Sequence, residues 1–220
     1  MQPNPKFGKH GIKWMARQCK GLAGALAKVH RHETSSQSSV ITRLEEQASQ
    51  TPDDNLRPVP SSRRPTSRSS NNSSSGGHIL YGRHGDIKPE NILWFPGEDN
   101  ESEQGTLKIA DFGISELSTR QNHPSDSVTG LSPTYRPPEC DNPGNQVVNS
   151  LWDVWSLGCL YLEFATWLLK GWEGIDEFRR LRRAPDTWYP AIKSDVFFES
   201  QKGQDGSLAH FLKPAVQQVS

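Results

Sequence analysis

The stretch from residue 31 to residue 78 constrains this chain more than any other feature, because it is nearly all Ser, Arg, Pro, Asn, Gln and acid and has no sustained apolar periodicity. Such a segment cannot bury enough apolar surface to offset the entropy of ordering it. It reads as a long disordered insertion on the surface. The core must come from the remainder, where residues 79–95, 107–117 and 151–170 are apolar-rich. Leu, Ile, Val and Phe number 45 of 220 residues, close to the level of about 20 % below which highly charged chains stay unfolded. One modest core is therefore expected.

Twenty-five basic and 25 acidic residues give a formal net charge of 0, so no global field draws the chain to nucleic acid or anionic lipid. Arg57, Arg63, Arg64 and Arg68 would make a local nucleic-acid patch, and Ser67 and its neighbours are candidate phosphorylation sites. A solvated linker is the simpler reading, which ranks nucleic acid last among partners. Cys19, Cys140 and Cys159 lack the paired spacing of a zinc site or a disulfide framework. That suits a reducing, intracellular setting, cytoplasm or nucleus. Met1 to Lys13 has no apolar centre and is no secretory signal. The longest apolar run, Leu157 to Leu169, contains Glu163 and falls short of the about 20 residues that span a bilayer, so no membrane partner is expected.

Three pieces of secondary structure stand out. Trp14, Leu22, Leu26 and Val29 recur near helical spacing among alanines, predicting a helix from Trp14 to His30. Asn91–Phe95 and Thr106–Ala110 flank a polar connection and predict a β-hairpin. Val147–Lys170 is apolar on every side, as suits a helix in the middle of a core.

The chemistry lies in His84-Gly85-Asp86-Ile87-Lys88-Pro89-Glu90-Asn91 and in Asp111-Phe112-Gly113, twenty residues later. Phosphoryl transfer needs a carboxylate to receive the nucleophile's proton, a cation against the migrating charge, and oxygen ligands that hold magnesium on the phosphates. Asp86, Lys88, Asn91 and Asp111 supply those functions. The hairpin would carry Asn91 and Asp111 at the two ends of its strands and so bring them together.

The first string is similar to the catalytic loop of eukaryotic-type protein kinases, Asp-Phe-Gly resembles their magnesium motif, and Pro137-Pro138-Glu139 resembles the Ala-Pro-Glu that closes the activation segment. Lys-Pro-Glu-Asn points to the serine/threonine class, and His-Gly-Asp with Ile-Leu-Trp-Phe is similar to a group of fungal kinase-domain proteins. Asp153, with Trp155, Ser156 and Gly158, looks like the start of the family's central helix, whose Asp holds the catalytic loop; a plain helix cap is the local alternative. Ser132 stands where the family places a Thr that contacts the catalytic Asp and Lys. Tyr135-Arg136 resembles the substrate-facing loop.

The resemblance implies a fold that is mainly α with a small β-hairpin, a kinase-like C-lobe lacking the N-lobe. Residues 1–30 would be a short leader and the helix before the catalytic loop, 31–78 the insertion, and 79–220 the C-lobe, truncated at its end. It implies ATP and Mg2+ as cofactors and a protein as substrate. Asp86 and Lys88 would be catalytic, Asn91 and Asp111 would hold the metal, and Leu93 would either face the adenine or be ordinary core. His84 and Phe112 would pack into an apolar spine without chemistry.

Three departures from the family pattern stand against this. Only about a dozen residues precede the first helix, too few for the glycine-rich loop and strand lysine of an N-lobe. Gly85 replaces the Arg that many kinases use to bind a phosphorylated activation loop, so control through a phosphate at Ser125, Ser127 or Thr129 is expected to be absent or weak. No Arg partner for Glu139 is recognisable, and an exposed Glu139 is expected. An inactive kinase fragment or pseudokinase, binding a partner through an exposed C-lobe face, is thus the alternative to a serine/threonine kinase.

Overall fold

The computed structural model describes residues 8–34, 78–97, 105–118, 132–142, 149–185 and 191–218. Helix α1 spans Lys9–His30, beginning earlier than the apolar spacing predicts. It buries Trp14, Gln18, Leu22 and Leu26, four residues apart and hence on one stripe. At Arg31 the backbone turns extended (φ −143°, ψ 110°), and the chain passes straight into strand β1, Arg31–Thr34.

Strand β1 pairs antiparallel with β2 (His78–Arg83), which pairs antiparallel with a later strand, β5 (Glu116–Ser118). The expected boundaries of the disordered insertion are therefore corrected at both ends, since residues 31–34 and 78 lie in a sheet. Main-chain pairing needs no apolar side chain, so a composition argument misses it. The rest of the expected insertion, 35–77, lies outside the described residues.

Between β2 and β5 the predicted hairpin forms from β3 (Ile92–Phe95) and β4 (Thr106–Ile109), with Ile92 opposite Ile109 and Phe95 opposite Thr106. Helix α1 carries it. Trp14 Nε1 donates to the Gly105 carbonyl at 2.8 Å, and the Leu107 amide donates to Gln18 Oε1 at 2.8 Å.

Helix α2 spans Leu151–Arg182 and bends at Gly171, whose φ of 66° and ψ of −161° are not helical. It is not apolar-buried all round, because Leu151, Val154 and Leu169 are exposed. It serves two cores rather than the one expected. Leu157, Leu160, Phe164, Trp167 and Leu168 pack with Trp14, Leu22 and Leu26 of α1 and with Leu107. Cys159 and Phe178 pack with Tyr135, Phe197 and Val216.

After α2 come two further antiparallel pairs, β6 (Ala184–Pro185) with β7 (Lys193–Ser194) and β8 (Phe198–Lys202) with β9 (Leu208–Leu212), then a short helix α3 (Pro214–Gln217). The described residues thus hold nine strands in four small antiparallel sheets, more sheet than a single hairpin. Among them no helix is long and apolar enough to cross a membrane.

Candidate active site

The loop between β2 and β3 is built around Asp153, near the start of α2. Its carboxylate is almost wholly buried (1 % exposed) and accepts the backbone amides of His84 at 2.7 Å and Gly85 at 2.8 Å. His30, the last residue of α1, places Nε2 2.9 Å from the same carboxylate. One acid therefore ties three segments together, and a buried carboxylate is tolerated because it is hydrogen-bonded throughout. The His84 ring is also polar in use, with Nδ1 accepting from the Asp86 amide (3.2 Å) and Nε2 facing the Ala110 carbonyl (3.1 Å).

Asp86 is the hub of the next layer. Its Oδ2 lies 2.6 Å from Lys88 Nζ and accepts from Asn91 Nδ2 at 2.9 Å, while Oδ1 accepts from Ser132 Oγ at 2.8 Å. Burial alone would raise its pKa, but the hydrogen bonds from Lys88, Ser132 and Asn91, with the Lys88 charge, hold it below the usual carboxylate value. Asp86 is thus kept as the anion.

Asn91 Nδ2 also donates to the Asp86 carbonyl at 2.8 Å. Both amide hydrogens are used toward Asp86, and Asn91 Oδ1 is left as an acceptor. The Ala110 amide donates to the Asn91 carbonyl at 2.9 Å, so the next residue, Asp111, leaves β4 beside the residue that enters β3. Asp111 has a φ of 62°, the one positive value among described non-glycine residues. Asp tolerates this region better than most residues. The turn exposes its carboxylate, where Oδ1 accepts the Gly113 amide at 3.2 Å.

These oxygens suit a hard cation. Magnesium usually takes one or two carboxylates and fills its remaining positions with water and substrate phosphate. Asp111 Oδ and Asn91 Oδ1 fit that pattern; among the described residues no cluster of three or more His, Cys, Asp or Glu forms a protein cage.

Other expected positions fall differently. Leu93 is 46 % exposed on β3, which rules out ordinary core. Phe112 lies 4.8 Å from the His84 ring but is 51 % exposed, so the expected spine is open on one side. Glu139 is half-buried rather than exposed. Arg182 is instead the fully buried cation of this region: Nη2 donates to Glu163 Oε1 at 2.9 Å, Nε donates to the Asp195 carbonyl at 3.0 Å, and the guanidinium lies over Phe178 and Phe197.

The turn at Pro133–Tyr135 is pinned at three points. Thr134 Oγ1 donates to Asp195 (2.6 Å), Tyr135 OH to Glu163 Oε2 (2.7 Å), and Ser156 Oγ to the Tyr135 carbonyl (2.9 Å). Burial first, then the Glu163 charge, pushes the Tyr135 hydroxyl far up in pKa and keeps it a donor. Sequence reasoning missed His30, Glu163 and Arg182 as partners; their contacts join residues far apart, and no local spacing marks them.

Residues 78–183 match the protein kinase domain family. That segment is a eukaryotic-type protein kinase domain segment of the serine/threonine kind. Among curated proteins the chain is similar to serine/threonine-protein kinase crk1 of Schizosaccharomyces pombe, 34 % identical over 126 residues that cover 53 % of this chain and 33 % of the relative. It is also similar to cyclin-dependent kinase 2 of Caenorhabditis elegans, at 32 % over 141 residues, 53 % of this chain and 35 % of that protein. Human cyclin-dependent kinase-like 4 is 33 % identical over 129 residues, 55 % of this chain and 31 % of its own length. The chain thus spans about a third of the length of these relatives. The loop around Asp86, the hairpin, the Asp-Phe-Gly turn and α2 up to Arg182 all fall inside the matched kinase-domain segment.

Proposed function

We propose that this chain carries the catalytic-loop half of a serine/threonine protein kinase, a C-lobe with a long segment inserted between β1 and β2, and that it takes ATP with magnesium and a protein hydroxyl. The observation that carries the reading is the closed set of Lys88, Asn91 and Ser132 around an ionised Asp86. Asp86 would orient the acceptor hydroxyl and take its proton as the oxygen bonds to the γ-phosphorus and the bond to the β-phosphate oxygen breaks. Lys88, already beside Asp86, would stabilise charge on the migrating group. Asn91 Oδ1 and the Asp111 carboxylate would hold magnesium, which neutralises phosphate charge when bound. Leu93, exposed on β3, would offer an apolar face to the adenine. Free thiols at Cys19, Cys140 and Cys159 agree with a reducing compartment as its setting.

A second reading is an inactive C-lobe that binds a partner. The exposed Leu93, Trp94 and Phe95 in succession on β3 favour it. A magnesium–ATP titration followed by thermal shift, with phosphate transfer to a protein acceptor, separates the two when the chain is compared with Asp111→Asn. Magnesium-dependent binding that the substitution abolishes, with transfer, supports the kinase. Binding without transfer supports the second reading, and equal behaviour of both proteins refutes the assigned site.

A further inference from the structure

Gly85 has a φ of 87°, and a Cβ placed on it would meet Arg83 Nη1, Ile114 Cδ1 and the Ile114 carbonyl oxygen, each at 3.3 Å. The space that a side chain at position 85 would enter is therefore already closed. Arg83 closes it from one side. It is 7 % exposed, and its Nη2 reaches Glu116 Oε2 at 3.1 Å. The two residues are also direct cross-strand partners of β2 and β5, where Gly82 faces Leu117 and Tyr81 faces Ser118. Ser115 Oγ adds a bond to the His84 carbonyl at 3.1 Å.

From these contacts we propose that Arg83 and Glu116 form a built-in charge clasp that fixes the segment after Asp-Phe-Gly on the catalytic loop without any phosphate on that segment. Both are positioning residues, acting through the strand that begins five residues beyond Asp111. The inference rests on the reading of Asp111 as a magnesium ligand and deepens it. The physical reason is desolvation. A guanidinium this buried needs a fixed anion, and leaving it unpaired is far costlier than holding it in a pair. Where position 85 lacks a cation to receive a loop phosphate, the cation two residues earlier already has a carboxylate from the chain itself. Opposite charges directly across an antiparallel pair also reinforce the register they sit in.

The test is amide hydrogen exchange on the full chain, comparing wild type with Glu116→Gln. Glu116 is half-exposed, so the Gln variant is expected to fold. Its amides across residues 112–118 should exchange about tenfold faster, while those of residues 14–26 in α1 stay unchanged. Raising the salt concentration should speed exchange at 112–118 in wild type but not in the variant, which a merely steric role would not do. Inorganic phosphate should leave the wild-type segment unchanged. Unaltered exchange in Glu116→Gln, an equal salt response in both proteins, or protection of wild type by phosphate would each overturn the clasp. The last result would make Arg83 an open anion site. A missing magnesium–ATP thermal shift in wild type would count against the nucleotide reading alone, because the exchange measurement needs no nucleotide.

Discussion

Removing the Asp153 carboxylate should cost more than any other single change at the site, and the structure says how much. Asp153→Ala leaves the His84 and Gly85 amides without an acceptor inside the protein and strips His30 of its partner. Hydrogen bonds to a charged group are worth about 1.5–3 kcal/mol each, so the two amides alone give a loss of about 3–6 kcal/mol. That approaches the whole stability of a small domain, about 5–15 kcal/mol. Asp153→Asn is the graded control. With its oxygen where Oδ2 stood, the amide group still accepts from His84 and His30, and only the Gly85 amide meets a donor. A loss of about half the alanine value follows. Urea unfolding followed by tryptophan fluorescence reads both, as shifts in midpoint at constant slope. His30→Ala should lose less than either, and far less again in an Asp153→Ala background, because the two share one contact. If Asp153→Ala unfolds within about 1 kcal/mol of wild type, water reaches those amides freely and the buried-acceptor reasoning is wrong.

Two further expectations concern stability. The pKa of Asp86 is depressed in the folded state, so its stabilising contribution is fully present above the unfolded value near 3.8 and is lost as pH falls through the lower folded value; the urea stability gap between wild type and Asp86→Asn should therefore close in acid, and a gap unchanged by acid would contradict the assignment. Gly171 sits at a φ of 66° and ψ of −161°, a region nearly closed to other residues, so Gly171→Ala should cost about 1–3 kcal/mol. Gly158→Ala in the same helix, where a Cβ meets nothing within 4 Å, should instead be neutral or stabilising by up to about 1 kcal/mol. Equal effects at the two glycines would refute the backbone argument.

What was legible in the sequence was mostly local. Near-helical apolar spacing predicts α1 although its start comes earlier, and two short apolar runs around a polar loop predict the β3–β4 hairpin to within a residue of its observed strand bounds. Ser132, expected near Asp86 from the resemblance, donates to it. Strand β1 was hidden because its residues are polar and its stabilisation is main-chain pairing with β2, across a segment that composition alone marks as unstructured. The charged run from Glu177 to Arg183 concealed Arg182, which is buried between two phenylalanines. Local pattern assigns a charge to solvent by default, and only a partner from elsewhere in the chain reverses that.

The order of residue types, from His84 through Asn91 to Asp111-Phe112-Gly113, determines by itself which chemistry is on offer, because the needed donor and acceptor atoms belong to the side chains. Their arrangement is decided by the tertiary structure. Helix α2 brings Asp153 under the loop, β5 brings Glu116 to Arg83, and the hairpin sets Asp111 beside Asn91. Charge and hydrogen bonding act over a few ångströms while these partners stand tens of residues apart, so only folding closes that distance.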